Sequence, residues 1–480
     1  MLLAIVFTVL LLPLLQSSLH LFLVKDLDGF FIKVEAVSLS KQGWASSEFQ
    51  EKKELFLNEN FGFRNTLIRL NNQLDFLLFK KTSNKETVIG KDNYLFAKTY
   101  VESIRGENYI GNEAIIKKAF SVKLLQEKLE KIGKVFLPVI APNKASFYKE
   151  YLPGNTYKLK LTNYEAFKLC FDKLKIKYID FESYFLSQKT TSKYPLFSKY
   201  GIHWSTYGHT LAADSIINYV NLNCNLTTNK LLYKDNIVLS DSLRDFDYDI
   251  GLGMNLFVDQ LSSESLAYPK YSFKKVTENK PPLLVIGDSF NFGIQKTDMQ
   301  NEVFSDYKLL YYFKELIPYS SDKDAFSKLN IKDEINNHQV IMLLFTEQNF
   351  VHYGCGFIEK AINILDGFDN GTFDDKENKI LEMTKKITND KPWIDKLTKE
   401  AREQNKNLDT LVRQNAIYMI NLANDEKNKV RAQKIQEMSG FIKNNPAWMK
   451  DVDKRARENK IPIDTVILRD ATYQVDLNNK

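Results

Sequence analysis

Hydrophobic residues follow two alternating patterns along the central part of the chain. Continuous apolar runs predict buried strands, and segments with a period of 3.6 residues predict amphipathic helices. The predicted strands cover residues 135–141, 178–181, 283–286 and 340–345. The predicted helices cover residues 112–132, 164–174 and 206–220. This alternation favours an α/β layer fold with a mainly parallel sheet.

The first 24 residues are almost entirely apolar, with one run from Leu2 to Leu15 and a second from Leu19 to Val24. Together the two runs are long enough to cross a bilayer. We expect an uncleaved transmembrane anchor here; a cleaved signal peptide and a buried soluble helix are the alternatives. Each of the first two would place the rest of the chain outside the cytoplasm.

The last part of the chain is charged, helical in pattern and internally repeated. Trp393, Ala401 and Ala416 recur as Trp448, Ala456 and Ala471, at a constant offset of 448 − 393 = 55 residues. Two helical hairpin units fit this spacing, and we interpret them as a structural or docking region without catalytic residues.

These patterns divide the chain into four predicted segments. They are an anchor or signal segment (1–24), a helical and hairpin region (25–110), a central α/β domain (111–367) and an all-α domain of two repeats (368–480).

Composition narrows the function classes only slightly. The net charge of +6 is the difference between 66 basic and 60 acidic residues that are spread along the chain, which does not favour nucleic-acid binding. The three cysteines form neither a metal-ligand spacing nor a disulfide framework. Nothing in the sequence calls for a metal. With five histidines in the chain, each one is a significant candidate for a catalytic base.

The most informative stretch is Leu283 to Phe290, in which four apolar residues are followed by Gly287, Asp288 and Ser289. A serine at the turn between a strand and a helix exposes its hydroxyl beside free backbone N–H groups, as acyl-transfer chemistry requires. A strand followed by a turn without chemistry is the simpler alternative. A partner histidine would decide between the two.

His203 is the best partner, in the stretch Tyr200 to Gly208. It precedes Trp204 and Ser205, and a serine at a helix N-cap would fix the loop that carries the imidazole. An isolated histidine is more often a satisfied surface residue. His209 lies in the following helix, where a structural role is expected.

Several stretches in the same order resemble the alginate O-acetyltransferase-like proteins of the SGNH-hydrolase-like superfamily. They are Leu57 to Arg64, Val88 to Phe96, Pro142 to Lys144 with Tyr148, His203 with Trp204, Gly287 to Ser289, and Thr346 with Glu347. The resemblance spans about residues 45 to 365 and implies an SGNH-like three-layer fold.

The resemblance implies a serine nucleophile, a histidine base and an aspartate two residues before that histidine. Ser289 and His203 match, but the acid position is Gly201. Three outcomes are open: a carboxylate from elsewhere, with Glu347 as the candidate; a Ser-His dyad; or a domain that binds a polymer without transferring acyl groups. Candidates for oxyanion or substrate contacts are Asn143, Lys144, Asp288, Asn291 and Trp204, besides the N–H of Ser289.

The resemblance therefore predicts a membrane-anchored, extracytoplasmic O-acetyltransferase that acts on an exported polysaccharide. It implies an acetyl group relayed from a separate multi-pass membrane acyltransferase, with no bound cofactor. The alternatives are a polysaccharide O-acetyl esterase and a catalytically degenerate domain that serves as a polysaccharide-binding scaffold.

Overall fold

The computed structural model of the protein describes residues 2–29, 34–154, 160–258, 261, 265–366, 371–373, 380, 383–384, 386–404, 406–459 and 463–477. The chain forms two compact units, Met1–Thr372 and Phe373–Lys480. The predicted segment boundary at 367/368 falls outside the described residues.

Twelve strands occur among the described residues. They are β1 (Thr87–Ile89), β2 (Leu95–Ala97), β3 (Val135–Ala141), β4 (Ile179–Asp180), β5 (Lys230–Leu232), β6 (Ile237–Ser240), β7 (Leu266–Pro269), β8 (Ser272–Lys274), β9 (Pro282–Gly287), β10 (Ser305–Tyr311), β11 (Glu315–Ile317) and β12 (Val340–Thr346).

Six of these strands form the main sheet, in the order β11-β10-β9-β12-β3-β4. All neighbours are parallel except the antiparallel pair of β10 and β11. Gly287 pairs with Leu344, and Thr346 pairs with Ala141, so the three central strands end at the same edge. This is the edge where parallel α/β folds place their ligands.

Fifteen helices belong to the described part of the first unit. They are α1 (Leu2–Leu19), α2 (Lys41–Ala45), α3 (Glu48–Glu59), α4 (Arg64–Phe79), α5 (Lys98–Ile104), α6 (Asn112–Lys131), α7 (Lys144–Phe147), α8 (Asn163–Lys173), α9 (Phe181–Gln188), α10 (Thr206–Asn223), α11 (Asp249–Gly253), α12 (Phe290–Gln295), α13 (Met299–Glu302), α14 (Ile331–Asn337) and α15 (Phe357–Leu365).

Both faces of the main sheet are buried. On one face, alternate residues such as Leu283 and Val285 share a hydrophobic cluster with α9, α10 and α12. The intervening residues, such as Leu284 and Ile286, are also fully buried. Their burial explains why the central strands read as continuous apolar runs rather than as alternating ones.

The predicted α/β fold with a mainly parallel sheet is confirmed, and the antiparallel pair of β10 and β11 makes the sheet a mixed one. All four predicted strands and all three predicted helices occur within a few residues of their expected bounds. The strands β10 and β11 of the main sheet and the short strands β5 to β8 were not predicted from the sequence. The strand β10 begins with polar, exposed residues at Ser305 and Asp306, which hides its apolar second half.

A second hydrophobic cluster fixes the segment around α11. Tyr248, Ile250 and Met254 pack there with Phe76 of α4 and Leu95 of β2. This cluster holds α11 beside the loop that leads to α10.

The N-terminal helix α1 includes Pro13 and packs beside the turn at Gly62, since a Cβ at Gly62 would lie 1.9 Å from the carbonyl oxygen of Pro13. Among the described residues, no helix has the combination of length and apolar character that crossing a membrane requires.

In the described part of the second unit, four helices have the following bounds: α16 (Lys391–Glu403), α17 (Leu408–Lys443), α18 (Pro446–Asn459) and α19 (Ile463–Leu477). Two separate hydrophobic clusters form within it. Leu397, Val412 and Ala416 belong to the first cluster, and Val452, Ile467 and Ala471 belong to the second. Leu397, Val412 and Ala416 correspond to Val452, Ile467 and Ala471 at a distance of 55 residues in the sequence. This is the offset that relates the two copies of the repeat.

Candidate active site

Ser289 lies at the carboxyl edge of the sheet, in the turn between β9 and α12. The turn starts at Gly287, where a Cβ would lie 2.8 Å from the carbonyl oxygen of Leu344. The next N–H, that of Asp288, donates to the same carbonyl. A larger residue than glycine would push β9 away from β12, so close strand packing fixes the position of the serine.

His203 comes from the loop that precedes α10. Ser205 caps α10 by accepting the N–H of Gly208 at 3.0 Å, as its sequence position predicted. On the other side of the histidine, the ammonium of Lys144 donates to the carbonyls of Lys199 and Gly201. The imidazole is thus held between a capped helix and a cross-linked loop.

The structure brings Ser289 and His203 together with a third residue, Asp249. His203 Nε2 lies 2.8 Å from Ser289 Oγ, and His203 Nδ1 lies 2.6 Å from Asp249 Oδ2. With the Nδ1 proton donated to the carboxylate, Nε2 is left as the acceptor for the serine proton. This is the hydrogen-bond relay of a Ser-His-Asp triad.

The carboxylate of Asp249 is held in its orientation by the backbone. Its Oδ1 accepts the N–H groups of Ile202 and Ile250, each at 2.7 Å. Oδ2 is left for the imidazole. The N–H of Ile202 belongs to the loop that carries His203. Two hydrogen bonds therefore join Asp249 to this loop, one from the backbone of Ile202 and one from the imidazole of His203.

The missing acid at Gly201 has a steric explanation. A Cβ at this position would lie 2.2 Å from the carbonyl oxygen of Phe246 and 3.1 Å from the carbonyl carbon of Asp247. The segment that carries Asp249 therefore occupies the space that a side chain at Gly201 would need. The absence of an acid at 201 and the presence of one at 249 are consequences of the same packing.

Asp247 joins the acid segment to α10. Its carboxylate accepts the hydroxyl of Thr206 at 2.8 Å and the N–H of Thr206 at 3.3 Å. Its carbonyl accepts the hydroxyl of Ser198. Burial raises the pKa of Asp247 to about 7. Asp247 thereby ties the segment to both sides of the histidine loop.

Glu347 is not the orienting acid, contrary to the expectation from sequence. It is buried, and its Oε2 accepts the side-chain N–H of Asn143 at 3.3 Å, while Asp249 occupies the carboxylate position at the imidazole. Burial raises the pKa of Glu347 to about 7.

Asn143 and Asp288 are also corrected, because both are fully buried and serve as local braces. Asn143 caps α7 through the N–H of Ala145, and its amide donates to Ser103 Oγ at 3.0 Å. Asp288 accepts the N–H and the hydroxyl of Thr346, which joins the serine turn to the end of β12. Burial raises the pKa of Asp288.

The three remaining candidates, Lys144, Asn291 and Trp204, are at most 1% exposed, so none of them forms a substrate-facing surface. Lys144 braces the histidine loop, and Asn291 donates to the hydroxyl of Tyr307 at 2.5 Å. Trp204 packs on Phe290 with ring centroids 5.1 Å apart. The sequence analysis named these residues as candidates for contacts with the oxyanion or the substrate, but all three side chains are buried.

The backbone N–H of Ser289 remains a candidate oxyanion donor. It has no hydrogen-bond acceptor in the part of the chain that the structure describes. Around it, Phe290 and Phe246 pack on the imidazole of His203 with centroid distances of 4.8 and 5.0 Å. These rings cover the imidazole, whose side chain is only 10% exposed, and less polar surroundings strengthen its hydrogen bonds.

Residues 87–236 match the family model described as the SGNH hydrolase-like domain of the acetyltransferase AlgX. Over this range the chain is similar to an AlgX-type SGNH hydrolase-like domain. This confirms the resemblance found in the sequence. The matched range includes His203 and stops before Asp249 and Ser289.

Solved structures similar to this chain include two from Pseudomonas and one from Bacillus. The O-acetyltransferase domain of Pseudomonas putida AlgJ is 18% identical, with 58% of this chain and 99% of that chain covered and a TM-score of 0.39. Pseudomonas aeruginosa AlgX is 17% identical, with 60% and 67% covered and a TM-score of 0.39. Bacillus cereus PatB1 is 12% identical, with 55% and 96% covered and a TM-score of 0.34. A comparison with curated proteins gives no match.

The packing at Gly201 predicts that even a methyl group is not tolerated there. Gly201→Ala should lower the free energy of unfolding by about 1–3 kcal/mol, because the backbone at Phe246 must move. Gly253→Ala is the matched control, since its Cβ would meet only Asn84 Nδ2 at 3.4 Å. Chemical denaturation of both variants checks this, and equal stabilities would contradict it.

The buried carboxyl of Glu182 predicts a pH-dependent stability. Burial raises its pKa from 4.5 to about 8, so in this pH window the folded state binds more protons than the unfolded state. The contribution of Glu182 to stability is therefore complete below about pH 4.5 and is lost as the pH rises through about 8.

Glu182→Gln keeps an acceptor for the N–H of Asn143, which Glu182 Oε2 now accepts at 2.6 Å. In urea titrations between pH 5 and pH 8, this variant should lose less stability with rising pH than the wild type. The exposed Glu113→Gln is the control. If the stability of Glu182→Gln fell with rising pH as steeply as that of the wild type, the carboxyl of Glu182 would not titrate in that range.

Proposed function

We propose that the first unit is an O-acetyltransferase that uses Ser289 as its nucleophile and a polysaccharide hydroxyl as its acceptor. The observation that carries this proposal is the relay from Asp249 through His203 to Ser289, at 2.6 and 2.8 Å. The assignment of acetyl as the acyl group rests on the family model, whose description names an acetyltransferase.

In the first step, His203 Nε2 takes the proton of the Ser289 hydroxyl as Oγ attacks the carbonyl carbon of an acetyl donor. The tetrahedral oxyanion forms beside the N–H of Ser289, and Asp249 stabilises the imidazolium. His203 then gives the proton to the leaving group. The products are acetyl-Ser289 and the released donor.

In the second step, a sugar hydroxyl replaces the leaving group. His203 removes its proton, the oxygen attacks the acetyl carbon, and collapse of the tetrahedral intermediate returns the proton to Ser289 Oγ. The acetyl group ends as an ester on the sugar. Because both steps use the same relay, no cofactor bound to the chain is needed for the proton transfers.

We also propose where the acetyl group comes from. We place the reaction outside the cytoplasm, with a multi-pass membrane acyltransferase as the partner that delivers the acetyl group, and an exported polysaccharide as the acceptor. These parts of the proposal rest on the family resemblance found in the sequence.

An O-acetyl esterase is the alternative within the same chemistry, since water can take the place of the sugar hydroxyl. The proposal of a degenerate, polymer-binding scaffold rested on the absence of a triad acid. Asp249 supplies a carboxylate at the expected atom of the imidazole, so this argument for a scaffold no longer holds.

Removal of the nucleophile or the base should abolish acyl chemistry. Ser289→Ala and His203→Ala should each lower kcat for hydrolysis of an activated acetate ester by at least about 10³-fold. Mass spectrometry after brief mixing should detect acetylated Ser289 in the wild type only. Adding a polysaccharide then distinguishes transfer from hydrolysis. Equal background rates in all three proteins would contradict the enzyme proposal.

The acid assignment has its own test. Asp249→Asn should lower kcat by about 10³- to 10⁴-fold with little change in KM, because the neutral amide favours the wrong imidazole tautomer. The controls are Glu347→Gln and Asp245→Asn, the latter an exposed residue of the same segment that pairs with Lys296. Activity that falls with Glu347→Gln instead of Asp249→Asn would reverse the assignment.

A further inference from the structure

The helix α4 has its polar and apolar faces in the reverse of the usual order. Its buried residues are Arg69, Asn72, Gln73 and Phe76. Its outer face carries six large apolar residues that are 44% to 68% exposed, here called the leucine stripe: Leu67, Leu70, Leu74, Leu77, Leu78 and Phe79. Surface helices of globular proteins normally bury the apolar side instead.

The inward polar face is fixed by hydrogen bonds to the rest of the unit. Arg69 donates to the carbonyls of Asp26 and Leu256, and Asn72 donates to the carbonyls of Met254 and Asn255. Gln73 accepts the N–H of Val258. The helix cannot roll to bury its leucines without breaking these bonds, so the stripe is a built feature of the surface.

The stripe continues into the apolar N-terminal segment. Phe22, which follows α1, packs on Phe63 at the start of α4 with ring centroids 5.7 Å apart. The side chains of Phe7 and Leu14 in α1 are themselves more than half exposed. Exposed apolar side chains therefore lie on both of these neighbouring segments, and a group of exposed apolar side chains of this kind marks an interaction surface.

The end of the stripe is basic. Lys80 and Lys81 follow α4 directly, with their ammonium groups 5.1 and 6.0 Å from the ring centroids of Phe76 and Phe79. Long aliphatic stems along an apolar surface with charged ends at its border are typical of residues at a lipid interface. From Leu67 to Leu78 the stripe is about 17 Å long, too short to span a bilayer and suited to lying in its surface.

We infer that the leucine stripe docks in the plane of an anionic lipid surface, with the leucines at the boundary between headgroups and acyl chains and the two lysines on the phosphates. The continuity with α1 and the basic end of the helix favour lipid over a second protein. The inference is independent of the acyl-transfer chemistry, because it uses no residue of the relay.

The test measures partition of the full chain onto vesicles of phosphatidylcholine with and without phosphatidylglycerol. The variant Leu70→Gln/Leu74→Gln/Leu77→Gln should partition at least about tenfold more weakly than the wild type. The matched control is Ile116→Gln/Phe120→Gln/Leu124→Gln, three exposed apolar residues of α6, which should bind like the wild type. Lys80→Ala/Lys81→Ala should lose the preference for phosphatidylglycerol.

Unchanged partition of the triple stripe variant would overturn the inference, since α1 or another surface would then carry the binding. A wild type that ignores both vesicle types would overturn it as well. Sedimentation without lipid adds a third criterion: a dimer that becomes monomeric only in the stripe variant would assign the stripe to a second copy of the chain. Equal thermal midpoints show that the variants are folded.

Discussion

The hydrogen bond between Asp249 and His203 sets the conditions for much of the surrounding structure. For the carboxylate to reach Nδ1, the segment from Phe246 to Asp249 must cross the histidine loop at very short range. That crossing requires glycine at position 201. It also requires polar contacts that hold two segments more than forty residues apart in sequence, which Asp247 and the N–H of Ile202 provide.

The frame around the relay is made of buried polar groups, which is costly unless each is paired. Lys144 places a buried ammonium among three carbonyl oxygens, those of Leu95, Lys199 and Gly201. Asp288 has its carboxylate saturated by donors at the end of β12. Breaking one partner would leave the other unsatisfied, so these contacts make the loop positions specific rather than merely stable.

Sequence patterns predicted what depends on local periodicity and on adjacent residues. The apolar run before Gly287 predicted the strand and placed Ser289 at its end, and Ser205 predicted the start of α10 after His203. Asp249 could not be found in this way, because it lies in a polar segment with Asp241, Asp245 and Asp247, and no pattern distinguishes it from them. Burial was the other failure: Asn143 and Asp288 fall at the ligand edge, but only packing shows that they face inward.

The helix α4 connects the outer surface of the unit to the acid segment. Among the carbonyls that Arg69 and Asn72 bind are those of Met254, Asn255 and Leu256, the residues that directly follow α11. Asp249 is the first residue of that short helix, and Phe76 packs in the same hydrophobic cluster as Tyr248 and Ile250. The polar inner face of α4 therefore holds the acid segment in place. Because the polar residues of α4 face inward, its leucines face outward. The fixed acid segment and the exposed leucines thus have one cause, which is that the backbone carbonyls after α11 accept hydrogen bonds from the polar residues of α4.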